Sequence, residues 1–369
     1  MKNMIIRDRI RGSLVAGAAG DALGYRVEFH SYAAIVNEFG EGGIRAYASH
    51  WGESEAVVSD DTQMTLFTAD GILCHTADMQ AGGAAMTRTE YVFRAYLDWF
   101  ATQTGRGYAP DAPSFLMREP QLFVRRAPGN TSLSALAGGR MGSIDRRINH
   151  SKGCGGVMRV APLGLMAGEK LDDRLCVEGA EYAAITHGHT LGYVPAAMLT
   201  HIVARAAYRR DDALTLEEIV QESIGMADRM FDDDPEYGRA VVLLRRALQL
   251  AQNDQSDLMN IRELGEGWVG EEALAIAVYC CLRHADDFSA ALIASVNHDG
   301  DSDSTGAVTG NILGAYIGYD AIPDPWKTGL QLSSLLLETA DDLFAAGCIL
   351  AGGAADDAFM AKYAGRSAL

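Results

Sequence analysis

Three observations predict an all-α fold for this chain of 369 residues. Apolar residues recur at steps of three and four along most of its length, the spacing of one helix face. No series of alternating apolar and polar residues ends in a hairpin turn, so strands are not expected. Two segments place a small residue at every fourth position, which suits helices whose backbones touch. With 48% hydrophobic and 22% charged residues, the chain has the composition of a folded globular protein.

The elements follow in order. Near the start, Gly12, Ala16, Gly20 and Gly24 form the first small-residue stripe, and Asp21 and Glu28 lie at its far end. Glycine inside a helix costs about 1 kcal/mol against alanine, so the stripe needs a reason, and close packing of central helices supplies it. "ADGILCHTADM" and "AAMLTHIVARAAY" read as helices. Residues 102–152 are rich in Gly, Pro, Ser and Arg and are expected to form loops and short helices over one face. In "TLEEIVQESIGMADRMF", Leu216, Ile219, Val220, Ser223, Ala227 and Met230 share a face, and Thr215 with Glu218 makes a capping box. "EEALAIAVYCCLRHA" is apolar nearly all round, as a buried helix would be. Gly306, Gly310, Gly314 and Gly318 form the second stripe. Nothing reads as a linker, so residues 1–369 are expected to form a single domain.

Composition also limits function. A formal charge of −18 argues against a general nucleic-acid binder. No stretch approaches the roughly 20 apolar residues of a membrane span. The start, "MKNMIIRDRIRG", lacks the apolar run of a secretory signal. Six cysteines without a CxxC pair suggest free thiols and a cytoplasmic location.

"NHDGDSDS" carries Asp299, Asp301 and Asp303 at alternate positions, and such crowding calls for a cation. An EF-hand loop fails here: Ser304 stands where that loop needs Gly, and Gly310 where it needs Glu. Asp301, Asp303 and Ser304 instead begin a helix, where their oxygens suit a hard ion such as Mg²⁺. A second group, Ser59, Asp60, Asp61 and Thr62, also precedes a helix. Its simpler reading is capping, with Asp60 and Gln63 as a capping box, but two such groups together could hold one or two divalent ions. "SKGCGGVMRVAPLG" is a Gly-rich loop running into an apolar helix, suited either to a phosphate or to a tight turn. "ITHGHTLG" holds His187 and His189 at a spacing that is not helical metal-ligand spacing, so a hydrogen-bonded loop histidine is the simpler reading.

As an ordered set, "RIRGSLVAGAAGDALGYRVEF", "SDDTQM", "GCGGVMRVAPLG", "THGH" and "GDSDSTGAVTGNILGAYIG" resemble the ADP-ribosylglycohydrolase family. The resemblance implies a compact multi-helix orthogonal bundle around a central binuclear Mg²⁺ site. It makes Ser59, Asp60, Asp61, Asp301, Asp303 and Ser304 the metal ligands, with Ser302 in place of a usual Thr. Asp60, Asp61, Asp303 and Glu28 become the catalytic carboxyls. Gly153, Cys154 and Gly155 match the family's Gly-Asn-Gly diphosphate loop, which continues into Gly156, Val157 and Met158. His187 would contact the adenosine side of the ligand. Cys154 stands where the family usually has Asn, and Asp299 is assigned a supporting place behind the ligands. The activity implied is hydrolysis of the bond between ADP-ribose and a protein side chain, with arginine favoured over serine. The partner implied is an ADP-ribosylated protein, and some members pair with an ADP-ribosyltransferase toxin as immunity proteins. The alternative is a binding protein that sequesters a toxin or modified target without turnover.

Overall fold

The computed structural model describes residues 2–49, 52–105, 114–168, 171–210 and 214–365. The first helices are α1 (Lys2–Tyr25), α2 (Tyr32–Phe39), α3 (Asp60–Gln80) and α4 (Arg88–Gln103). Short elements follow: α5 (Asn130–Ala137) and α6 (Ala161–Leu165). A longer set comprises α7 (Asp173–Ala184), α8 (Thr190–Tyr208), α9 (Leu216–Met230), α10 (Tyr237–Leu250), α11 (Asp257–Leu264) and α12 (Gly270–Arg283). The chain closes with α13 (Phe288–Val296), α14 (Ser302–Ile317), α15 (Ser333–Leu350) and α16 (Asp357–Tyr363). Among the described residues the only bridges of β type are isolated pairs, Ala56 with Leu330 and Gly153 with Val269. The fold is all-α.

The two small-residue stripes meet. A methyl group added at Gly310 would lie 1.9 Å from the Ala16 carbonyl oxygen, and one at Gly314 would lie 2.1 Å from that of Gly12. One at Gly20 would lie 2.0 Å from the Gly306 oxygen, and one at Gly24 2.1 Å from that of Ser302. The numbers fall along α1 as they rise along α14, so the pair is antiparallel with backbones in direct contact. The second stripe ends one turn early, however. Gly318 has a φ of +89° and terminates α14, its amide donating to the Gly314 oxygen.

Around this pair the predicted helices take their places. In α12 every residue from Ala273 to Cys281 is buried. The Thr215–Glu218 capping box forms in both directions at 3.2 and 2.8 Å. Met230, placed on the same face of α9 by its spacing, is exposed as the last residue of that helix. Arg7 and Arg11 of α1 both grip Asp341 of α15, at 2.6–2.7 Å. Residues 102–152 do carry short elements, with 3₁₀ turns at Leu116–Arg118 and Pro120–Phe123 besides α5, while positions 106–113 lie outside the described residues. All six cysteines are free, and no described helix is long and apolar enough to cross a membrane.

Candidate active site

The start of α3 forms one wall. Ser59, not Asp60, is the N-cap: its hydroxyl accepts from the Asp61 amide at 3.1 Å. The expected box between Asp60 and Gln63 does not form, because Gln63 turns to the Val124 carbonyl, Trp99 and Gln103. Released from capping, Asp60 accepts from the Gly129 amide at 3.2 Å, and its own amide donates to the Arg126 carbonyl at 3.0 Å. Asp61 is 2% exposed, and its Oδ2 has no hydrogen-bond partner.

Asp21 lies behind this wall, fully buried on α1. Its carboxylate accepts from the amides of Ser59 (2.9 Å) and Thr62 (3.0 Å) and from the Thr62 hydroxyl. Three donors from one turn fix where α3 begins. Burial first and Asp303 second push its pKa up to about 7. The motifs give Asp21 no role; its signal in the sequence is a carboxylate beside Gly20 in a helix that is otherwise small and apolar there.

The start of α14 forms the facing wall. Asp301 precedes its first turn, with its amide held by the Glu266 carbonyl at 2.8 Å. Asp303 lies within that turn and accepts from the Ser304 amide at 2.9 Å and from the Ser59 hydroxyl. Glu28, on the turn after α1, completes the group: one oxygen each from Glu28, Asp301 and Asp303 lie within 4.8 Å of one another. Asp303 is the electrostatic hub. Asp21, Glu28, Asp60, Asp61 and Asp301 are all pushed up by burial first, and Asp303 is the largest charge acting on each. Burial, then the Asp303 charge, pushes Glu28 up to about 11 while no cation offsets the neighbouring carboxylates. Asp299 does not join them. It pairs with Arg262 at 2.9 Å, accepts from the Tyr32 amide, and is held below the usual carboxylate range.

The Gly-rich loop differs from its expected form. Cys154–Gly156 make a single 3₁₀ turn, and the apolar helix begins only at Ala161. The Cys154 amide donates to the Trp268 carbonyl, and the amides of Val157 and Met158 donate back to the Cys154 carbonyl. That leaves Gly155 and Gly156 as the loop's candidates for contacting an anion. His187 packs beneath, where a methyl group on Gly155 would lie 3.0 Å from its ring. Its Nδ1 pairs with the Thr186 hydroxyl, which also accepts from buried Arg159 at 2.6 Å. Burial, then the Arg159 charge, lowers the His187 pKa to about 3, so the ring is neutral. His189 points elsewhere, capping α8 through the Leu191 amide.

The donors fit a hard divalent cation. Asp61 Oδ2 and Glu28 Oε2 are buried polar atoms without partners, and Glu28 belongs to a group of three carboxylates with Asp301 and Asp303. A cavity of about 530 Å³ opens beside them, lined by Tyr25, Glu28, Phe29, His30 and Ser49 among others. Ala127 also lines it at a strained φ of +47°, between the Arg126 carbonyl and the Gly129 amide that hold Asp60.

The chain is similar to known proteins. A zebrafish (Danio rerio) protein named ADP-ribosylhydrolase ARH3 is 26% identical over 92% of this chain and 90% of its own length. A Pseudomonas putida protein named ADP-ribosylarginine hydrolase Tri1 is 23% identical over 91% of this chain and 78% of its own. A solved structure of an ADP-ribosylglycohydrolase-related protein complex has the same fold, with a TM-score of 0.59 at 22% identity over 93% of this chain and 99% of that one. The family described as ADP-ribosylglycohydrolase matches residues 2–349. A match of that length takes in both carboxylate walls and the helix pair that joins them, and the chain belongs to the ADP-ribosylglycohydrolase family.

Proposed function

We propose that this chain is a Mg²⁺-dependent hydrolase that removes ADP-ribose from modified arginine side chains. The observation that carries the reading is a buried acidic group with unpartnered oxygens: Glu28, Asp301 and Asp303 lie together, and Asp303 is the largest charge acting on Asp60 and Asp61. Ser59, Asp60, Asp61, Asp301, Asp303 and Ser304 would hold two ions, which supply the positive charge that makes such crowding favourable and polarise the oxygens they touch.

The chain's own groups do the rest. Hydrolysis of a glycosidic bond passes through an oxocarbenium-like state, which a carboxylate-lined site stabilises. Asp303, central to the cluster, is placed to take a proton from the attacking water. A guanidine nitrogen leaves only when protonated, so a proton must reach it from a neighbouring acid or from solvent. Gly155 and Gly156 offer backbone to the diphosphate, and neutral His187 supports that loop from below. Arginine is favoured over serine because the name of the Pseudomonas putida relative points that way.

The test is release of ADP-ribose from an arginine-ADP-ribosylated protein with Mg²⁺, then with EDTA, and with Asp303→Ala. Release should stop with the chelator and fall by about 10²–10⁴-fold in the variant, the usual worth of a positioned acid or base. Release that ignores both would sink the reading. Release from serine-linked but not arginine-linked substrate would keep the hydrolase and change the linkage.

A further inference from the structure

We propose that Thr186, held by Arg159, is a positioning residue: it fixes His187 as the tautomer with its proton on Nε2, which aims a hydrogen-bond donor at the ADP-ribose along the Gly-rich loop. This rests on the ligand proposed for the site and adds what orients one of its contacts. Donor and acceptor chemistry sets the direction of each bond. Arg159 Nη2 lies 2.6 Å from the Thr186 hydroxyl, and a guanidinium can only donate, so the oxygen accepts there. Its other partner is His187 Nδ1 at 2.8 Å. Arg159 and Thr186 are both fully buried, so no solvent competes. The hydroxyl has one proton to give, and Nδ1 receives it. In a neutral ring, an accepting Nδ1 leaves the proton on Nε2.

The surroundings keep each member in place. The Arg159 guanidinium lies 4.4 Å over the Tyr96 ring and also donates to the Ser132 hydroxyl and the Tyr182 carbonyl, at 3.4 and 3.3 Å. The Asn149 side chain donates to the Thr186 carbonyl at 2.7 Å and accepts from the Gly188 amide at 3.0 Å, which clamps the chain on both sides of His187. The His187 amide donates to the Ala183 carbonyl at 2.9 Å. Nε2 faces the glycines of the loop: a methyl group on Gly155 would lie 3.2 Å from it, and one on Gly153 3.4 Å. Because both positions are glycine, no side chain from either covers the N–H. A ring free to change tautomer would offer an acceptor there part of the time and repel the ligand's oxygens; the fixed ring offers only a donor.

The experiment labels the histidine rings of the full chain with ¹⁵N and reads the protonation of each ring nitrogen by NMR at neutral pH. The His187 signals are identified by their loss in His187→Ala. Nε2 should carry the proton in the wild type, with Nδ1 bare. Thr186→Val keeps the shape of the side chain without the hydroxyl, and the proton should then spread over both nitrogens. Thr186→Ser should restore the single tautomer. Affinity for ADP-ribose, measured by calorimetry, should fall by about tenfold in Thr186→Val, the order of one directed hydrogen bond, and recover in Thr186→Ser. In a His187→Ala background Thr186→Val should cost nothing more, because the two residues act through one contact. A wild-type ring protonated on Nδ1 overturns the proposal. So does a Thr186→Val protein whose tautomer and affinity are unchanged, or whose loss persists without His187. The two readings fail separately. A fixed tautomer with Thr186-dependent binding but no release of ADP-ribose keeps the relay and sinks the hydrolase; Mg²⁺-dependent release with the proton on Nδ1 does the reverse.

Discussion

Asp21 makes no contact with substrate in the proposed reaction, yet it sets the position of Ser59, Asp60 and Asp61 through three donors from a single turn. Asp21→Asn puts an amide group against those donors. Affinity for Mg²⁺, measured by calorimetry, should fall by about 10–100-fold, the typical cost of losing a group that orients a ligand. His187 yields a pH prediction. Its folded pKa is about 3 against an ordinary 6.5, so on acidification the unfolded chain gains a proton that the folded chain refuses. The stability it contributes is present above pH 6.5 and is lost as pH falls toward 3. The dependence of stability on pH in His187→Gln should therefore be flatter than in wild type across that window, by up to about 1.4 kcal/mol per pH unit. These roles were only partly legible. The clustered aspartates announce themselves by charge, because close carboxylates require a cation. Asp21, Arg159 and the turn of Asp299 toward Arg262 do not, because which way a lone charged side chain faces is decided by helices distant in sequence.

At the scale of elements, the α1–α14 seam has no room for a side chain. Gly310→Ala would press a methyl group into the Ala16 carbonyl at 1.9 Å, and no flexible side chain is there to yield. The helices must part, and because both carry carboxylates of the centre, metal affinity and stability should fall together, stability by about 3 kcal/mol or more. Gly238→Ala in α10 is the control, since nothing lies within 4 Å of the added methyl. It should raise stability by about 0.5–1 kcal/mol in a denaturant titration. The stripes were legible because glycine at every fourth position weakens a helix, and close packing against a second helix is what offsets that loss. The early end of the second stripe was not, since Gly318 in sequence looks like any other member, and only its φ of +89° marks it as a terminator.

For the whole molecule, the acidic centre is a source of instability that a cation removes. Asp60, Asp61, Asp301 and Asp303 are buried at 2–3% exposure, and gathering their charges opposes folding. Thermal melting with increasing Mg²⁺ should show a rising midpoint, with about 2.7 kcal/mol gained at one hundred times the dissociation constant. Asp301→Asn should raise the midpoint measured in EDTA while reducing the response to Mg²⁺. A midpoint indifferent to Mg²⁺ would count against the carboxylates as its ligands.

The antiparallel pairing of α1 with α14 bears on the order of events during synthesis. One strip of the seam leaves the ribosome first, and its partner follows only after residues 26–301 have been made. At about 5–20 residues per second that is a wait of roughly 15–60 s. Through that interval α1 has a face of glycine and alanine with too little apolar surface to hold a neighbour by itself, and Glu28 lacks the facing wall. The nascent chain therefore cannot assemble a functioning centre by halves, and a ribosome stalled before α14 leaves a product with no residual activity.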